Sequence, residues 1–240
     1  MSKVNLEILA YEPSPLGLLC LRRREVLARP GTFVTEVTLN HEFLMSSYNT
    51  DSERAISNRA VELHEGSQLT ALVGGLGLGY TARSALLDER VRSMKVIDAL
   101  AEVIDWHRRH LVPLGAELTS DPRCELVHGD FFAMVAEGIE QTDDGPRQFD
   151  AILVDIDHTP RHLLNPSHAG FYEPTGLRRV AEQLRPAGVF ALWSDDPPDD
   201  EFVAVMLPEF ASVQAHVVTF PNHYTGEHSS CTVYVAVTPA

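Results

Sequence analysis

The chain has 240 residues, 44% of them hydrophobic and 22% charged, and its 34 acidic against 19 basic side chains leave a formal charge of −15. Such a composition suits one large folded domain, or a domain with an appendage, and excludes wholesale disorder. The negative field repels phosphate backbones and anionic lipid headgroups, which argues against nucleic-acid and membrane partners and suits a cationic small molecule.

In chain order, the opening MSKVNLEILAYEPSP places Glu7 and Glu12 inside a short apolar stretch, so it lacks the core of a secretory signal. No later run approaches the ~18 apolar residues of a membrane span. Cys20, Cys124 and Cys231 are far apart and form neither a disulfide framework nor a CxxC half-site. A cytoplasmic location with reduced thiols is the expectation. VNLEILAY, GLLCLR, TFVTEVTLN and EFLMSS are β-type runs separated by Pro- and Gly-containing turns, and predict a small antiparallel sheet. Thr50 and Glu53 stand in the order of a capping box, ahead of Ile56, Ala60 and Leu63 at helical spacing. They predict a helix of about four turns. That helix would link an N-terminal β-region, residues 1–66, to a second unit, residues 67–240.

From Leu69 onward LTALV, SMKVI, CELVH, FDAILVD and GVFALWS alternate with helical patterns such as Leu177, Val180, Ala181 and Leu184. The alternation predicts a mainly parallel α/β sheet covered by helices. SVQAHVV and CTVYVAV flank the polar segment FPNHYTGEHSS and read as a terminal antiparallel hairpin.

LTALV runs into Gly74-Gly75-Leu76-Gly77-Leu78-Gly79, directly before a helical stretch. Strand, glycine turn and helix in that order let backbone amides approach a nucleotide-like ligand, with Gly75, Gly77 and Gly79 as the binding candidates. The strict dinucleotide fingerprint would place a glycine at Tyr80, so GxGxG fits an S-adenosyl cofactor better than NAD. A turn serving only close helix–strand packing is the alternative. Asp98 ends the next strand at a spacing near the ~20 residues expected of a ribose-gripping carboxylate. Asp130 ends the third strand, where it can reach an adenine edge or cap the helix that follows.

The fourth strand runs into Asp155-Ile156-Asp157-His158-Thr159-Pro160, and the fifth into Asp195-Asp196 and the acids 199–201. Ligands of open α/β sheets bind outside the carboxyl ends of the strands, so these acids would rim a pocket. Asp155 and Asp157 are expected to share one side, where they would clamp an amine and accept its proton; Asp155 could instead merely cap the turn. Residues 199–201 read as a solvated helix start. His158, His162 and His168 do not match a metal box, because Pro160 breaks the helix that an HxxxH pair requires. The stretch His158–Tyr172 reads as a candidate lid.

GGLGLG, Asp98, HGDFF with Asp130, FDAILVDIDHTP, GFYEPTGLRRVAEQLRPAGVFALWS and the β-rich start together resemble spermidine synthases and spermidine-synthase-like proteins, over nearly the whole chain. The resemblance implies a Rossmann-like class I methyltransferase sheet with a small N-terminal β-domain, a homodimer, and aminopropyl transfer from decarboxylated S-adenosylmethionine to a polyamine or related amine. It assigns Asp98 to the ribose, Asp130 to the adenine and Asp155 to catalysis. Tyr224 stands near the family's late acceptor tyrosine and falls to the substrate, as does Asp195 from its place at the end of the fifth strand. Two positions depart from the family. Gly77 stands where such enzymes carry the acid of GGGDG, and Ser52-Glu53-Arg54 stands where they carry Tyr-His-Glu. Methyl transfer from intact S-adenosylmethionine, or a cofactor-binding dimer without turnover, are the alternatives these departures leave.

Overall fold

The computed structural model describes residues 5–27, 29–139, 141–142, 145–222 and 225–240. Four strands, β1 (Leu6–Ser14), β2 (Gly17–Glu25), β3 (Phe33–Leu39) and β4 (Glu42–Ser46), form an antiparallel sheet in the order β1-β2-β3-β4. Leu19 and Leu21 of β2 point into the core, and so does Val37 of β3. On the other face the Glu36 carboxylate, 1% exposed, accepts from Arg22 Nε at 3.0 Å and Arg24 Nη2 at 2.6 Å. Two guanidinium groups offset the desolvation of one acid, so removing either partner costs more than a surface pair would.

Helix α1 (Asp51–Leu63) follows, with Ile56, Ala60 and Val61 buried. It packs against the large sheet. The capping box predicted at its start is absent: Thr50 makes no side-chain cap, and Glu53 turns inward to accept from Ser52 Oγ at 2.6 Å.

Then come β5 (Leu69–Gly74), α2 (Tyr80–Leu86), β6 (Val91–Asp98), α3 (Ala101–Arg108), α4 (Gly115–Ser120), β7 (Cys124–His128) and α5 (Phe131–Glu137). A two-residue ladder, β8 (Gln141–Thr142) with β9 (Gly145–Pro146), precedes β10 (Phe149–Val154). The chain continues through a 3₁₀ segment (Pro166–Tyr172), α6 (Pro174–Glu182), β11 (Leu184–Ser194), α7 (Asp200–Met206), β12 (Ser212–Pro221) and β13 (His228–Val237). Seven strands form one sheet in the order β12-β13-β11-β10-β5-β6-β7. Strands β11, β10, β5, β6 and β7 run parallel, and β13 inserts antiparallel between β11 and β12. The predicted α/β sheet with a terminal antiparallel hairpin and a small N-terminal β-sheet is therefore what the chain forms.

Alternation along the strands sorts side chains to two cores. Ala71 and Val73 of β5 join Met94, Val96 and Trp106 on one face, while Leu72 joins Ile97, Phe131, Phe190 and Tyr234 on the other. Full burial of each such side chain contributes about 1.5–3 kcal/mol, so both faces of the sheet must stay covered. Trp106 also ties the two sheets together, its Nε1 donating to Glu12 of β1 at 3.0 Å. Strand order reverses between β5 and β10, and a crevice opens there at their carboxyl ends.

Candidate active site

The crevice begins at the turn after β5. Gly75, Gly77 and Gly79 adopt φ of +93°, +48° and +92°, the left-handed region that favours glycine. A Cβ on Gly75 would lie 2.2 Å from the carbonyl oxygen of Asp155, so this position also allows β5 and β10 to approach each other. Asp98, at the end of β6, holds the turn from the side. Its Oδ2 accepts from the backbone N–H of Leu76 at 2.9 Å and of Gly77 at 3.4 Å, and its Oδ1 from Leu100 at 2.8 Å. Burial pushes the Asp98 pKa up, opposed by these three N–H groups, which favour the charged form. His107 of α3 supports the turn from below, with Nε2 at 2.9 Å from the Gly77 carbonyl. A carbonyl only accepts, so Nε2 carries the proton and the buried Nδ1 is left without a partner.

Two compartments meet at this turn. The first is lined by Gly75, Gly77, Asp98, Leu100, Asp130, Phe132, Ile156 and His168, and is roofed by Pro15, Leu16, Leu44 and Met45 from the N-terminal sheet. Asp130 caps α5, its Oδ1 accepting from Phe132 N at 3.0 Å and Ala133 N at 3.2 Å, while still facing this compartment. The second compartment is bounded by the same glycine turn, Asn49, Glu53, Tyr80, Thr81, Asp155, His158, Trp193 and Asp195. Asp155 reaches both. Its Oδ2 accepts from Thr81 Oγ1 at 2.7 Å, and burial pushes its pKa up. Among the described residues, neither compartment is lined by a lysine or arginine.

Glu53 is the site residue that strand-end reasoning missed. Burial first, then the charge of Asp155, push its pKa up to about 7, against a hydrogen bond from Ser52. The replaced Tyr-His-Glu positions were the available signal, yet only the fold brings Glu53 to Asp155. Arg54 beside it is exposed and lines neither compartment.

Asp157 corrects the expectation that it shares a side with Asp155. The backbone leaves the strand after Val154, so two-residue alternation no longer holds. Asp157 turns into the protein and accepts from Leu164 N at 2.7 Å, His168 Nδ1 at 2.9 Å and Tyr172 Oη at 2.9 Å. Its side chain is fully buried and is absent from the lining of both compartments. It anchors the 158–172 segment instead. His168, held this way, stacks on Phe132 with ring centroids 4.0 Å apart at the wall of the first compartment. Three donors converge on two carboxylate oxygens, so in Asp157→Asn the amide NH₂ would confront a donor. That variant is expected to lose about 1–3 kcal/mol of stability. It should also speed hydrogen exchange across residues 158–172; unchanged exchange would remove the anchoring role.

Asp195 lines the second compartment at its exposed mouth, its N–H donating to the His158 carbonyl at 2.8 Å. Asp199 caps α7 through Glu201 N and Phe202 N, as a solvated helix start would. Tyr224 lies outside the described residues. The His158 and His162 rings lie 4.8 Å apart, tilted by 35°, and no group of three metal-ligating side chains occurs among the described residues. No helix among those residues is long and apolar enough to cross a membrane.

Comparison with known proteins places this geometry in context. The profile of the spermine/spermidine synthase domain matches residues 51–225. A polyamine aminopropyltransferase of Prochlorococcus marinus is 32% identical over 126 residues, covering 52% of this chain and 40% of that protein. Polyamine aminopropyltransferase 2 of Pseudomonas aeruginosa is 27% identical over 173 residues, covering 68% of this chain and 45% of that protein. The chain thus spans less than half the length of these relatives. Among solved structures, a spermidine synthase in complex with the transition-state analogue AdoDATO superposes with a TM-score of 0.74 at 16% identity, over 96% of this chain and 73% of the other. The spermidine synthase of Thermotoga maritima gives 0.71 at 16% identity, over 96% and 72%. At that identity the likeness is one of fold.

Proposed function

The chain belongs to the spermine/spermidine synthase family, and from that premise we propose that it transfers an aminopropyl group from decarboxylated S-adenosylmethionine to a small-molecule amine. In such a transfer an amine nitrogen attacks the methylene carbon beside the sulfonium. The C–S bond breaks with its electron pair passing to sulfur, neutral methylthioadenosine leaves, and the amine sheds a proton. In this reading Asp98 and Asp130 hold the adenosine against the turn of Gly75, Gly77 and Gly79. Asp155, at the junction of the two compartments, positions the amine and takes its proton, and Asp195 at the mouth draws cations inward.

The observation that carries the reading is the sign of the cleft. Among the described residues, Glu53 and Asp155 face a space without a lysine or arginine in its lining. Like charges confined in a poorly hydrated site repel strongly, so the carboxylate of intact S-adenosylmethionine is disfavoured there and an ammonium is favoured. This supports the decarboxylated donor over methyl transfer, even though Gly77 brings no acid to the turn.

A panel of both donors against an amine library, followed by mass spectrometry, tests the proposal. Methylthioadenosine together with an aminopropylated amine is the expected product pair. S-adenosylhomocysteine with a methylated amine would overturn it, and tight donor binding without any product would leave a binding protein. Action in the cytoplasm is proposed on the three free thiols. A homodimer is proposed on the exposed apolar edge of β1, where Leu6 and Ile8 are more than half exposed; light scattering during size-exclusion chromatography reads it directly.

A further inference from the structure

Glu53 has the features of a ligand-responsive acid. It sits on the first turn of α1, which is fixed against α2 by Ser57 Oγ donating to the Thr81 carbonyl at 2.7 Å. Thr81 in turn holds Asp155, so the two carboxylates are set by one rigid connection rather than by mobile loops. Among the described residues the one side chain that donates to the Glu53 carboxylate is Ser52, at 2.6 Å, and the Glu53 backbone N–H adds to it. Asn49, on the same wall, carries a buried Oδ1 with no hydrogen-bond partner among the described residues, an independent sign that a donor group belongs in this space.

We propose that Glu53 receives a primary ammonium group of the substrate in the second compartment, and that it gives up its own proton to solvent as the ammonium arrives. The balance is simple: a protonated Glu53 and an ammonium ion become a carboxylate–ammonium pair plus one released proton. The acid thus comes from α1, through space, to a cleft whose glycine turn has none at Gly77. The inference rests on the aminopropyl-transfer reading for the identity of the substrate, and adds a specificity-determining residue to it.

The sign of the pH dependence follows. Free Glu53, pushed up to about 7, is mainly protonated at lower pH. An ammonium ligand must displace that proton, so affinity falls roughly tenfold per unit below about pH 7 and levels off above it. Among the described residues the other ionisable groups around Glu53 are Asp51 and Arg54 on its own helix, Tyr80 on α2, Asp155 after β10, His158 on the loop beyond, Asp195 after β11 and Cys231 on β13. Of these, His158 is the imidazole and serves as the control.

Calorimetric titration of the full chain, in two buffers of different ionisation enthalpy, counts the protons. Decarboxylated S-adenosylmethionine, a 1,4-diamine and methylthioadenosine are the probes. Near pH 6 an ammonium probe should release on the order of one proton, near pH 8 close to none, and neutral methylthioadenosine none at either. Release with the donor assigns the ammonium to its aminopropyl arm; release with the diamine alone assigns it to the acceptor. Glu53→Gln should abolish the release and weaken the ammonium probe about tenfold or more near pH 8, while binding methylthioadenosine as before, which shows that it folds. Glu53→Asp should restore part of both. Asp155→Asn should move the midpoint to lower pH, and His158→Gln should leave the count unchanged. No proton release in the native chain, or the same release in Glu53→Gln, overturns the proposal. If methylthioadenosine fails to bind at all, the adenosine-site reading falls, and the diamine titration still judges Glu53.

Discussion

Asp155→Asn is expected to lower the rate of methylthioadenosine release about 10²–10⁴-fold, the range that a positioned general base supplies. The loss should fall on kcat, with methylthioadenosine affinity nearly unchanged. The amide oxygen can still accept from Thr81 Oγ1, so the local geometry survives while the charge and the proton acceptor are lost. Stability should hold or rise, because the substitution removes a buried charge that has, among the described residues, a neutral hydroxyl as its side-chain partner. Single-turnover mass spectrometry and a thermal melt measured together make the test sharp. Activity within twofold of the native chain would remove Asp155 from the chemistry, and a collapsed melt would make it structural.

The second large effect is expected at Gly75→Ala. Left-handed backbone costs a non-glycine residue about 1–2 kcal/mol. Overpacking adds about 1–3 kcal/mol, because the new Cβ would lie 2.2 Å from the Asp155 carbonyl and the obstacle is backbone of the neighbouring strand end, which cannot rotate away. A loss of about 2–5 kcal/mol lowers Tm by on the order of 10 °C in a chain of this size. Gly31→Ala provides the control. It shares a positive φ of +83° but, its chain neighbours aside, has no atom of the described residues within 4 Å of the added Cβ, so it bears the backbone strain alone. A melt should separate the two variants clearly, and adenosine-ligand binding should be lost only in Gly75→Ala. Equal Tm shifts would show that the close approach of β5 and β10 is not rigid.

Much of the fold was legible because its signals are local. Strand runs of β5, β6, β7, β10 and β11 carry their own apolar patterns, and the terminal hairpin was readable from two such runs flanking a polar segment. The glycine turn was legible for a related reason, since positive φ at Gly75, Gly77 and Gly79 is a demand that glycine meets at least cost. Asp98 and Asp130 followed from the rule that the carboxyl ends of parallel strands face a ligand, and both line the first compartment. The same reasoning failed at Asp157. Alternation applies only while the backbone is extended, and past Val154 the chain bends, sending Asp157 to His168 and Tyr172.

Glu53 marks the limit more clearly. In the sequence it looked like one half of a capping box, a choice between backbone partners within one turn. Burial against Asp155 decided otherwise, because a carboxylate that loses water beside another carboxylate is governed by distance through space and not by position along the chain. The roof of the first compartment was hidden in the same way, since Leu16 and Met45 are ordinary sheet residues until the N-terminal sheet docks. The amino-acid sequence by itself determined the elements, their order, the glycine turn and the strand-end acids, all of which depend on neighbours a few residues apart. Only the tertiary structure decided which acids confront one another and which turn away, because desolvation and charge repulsion are set once distant segments have packed.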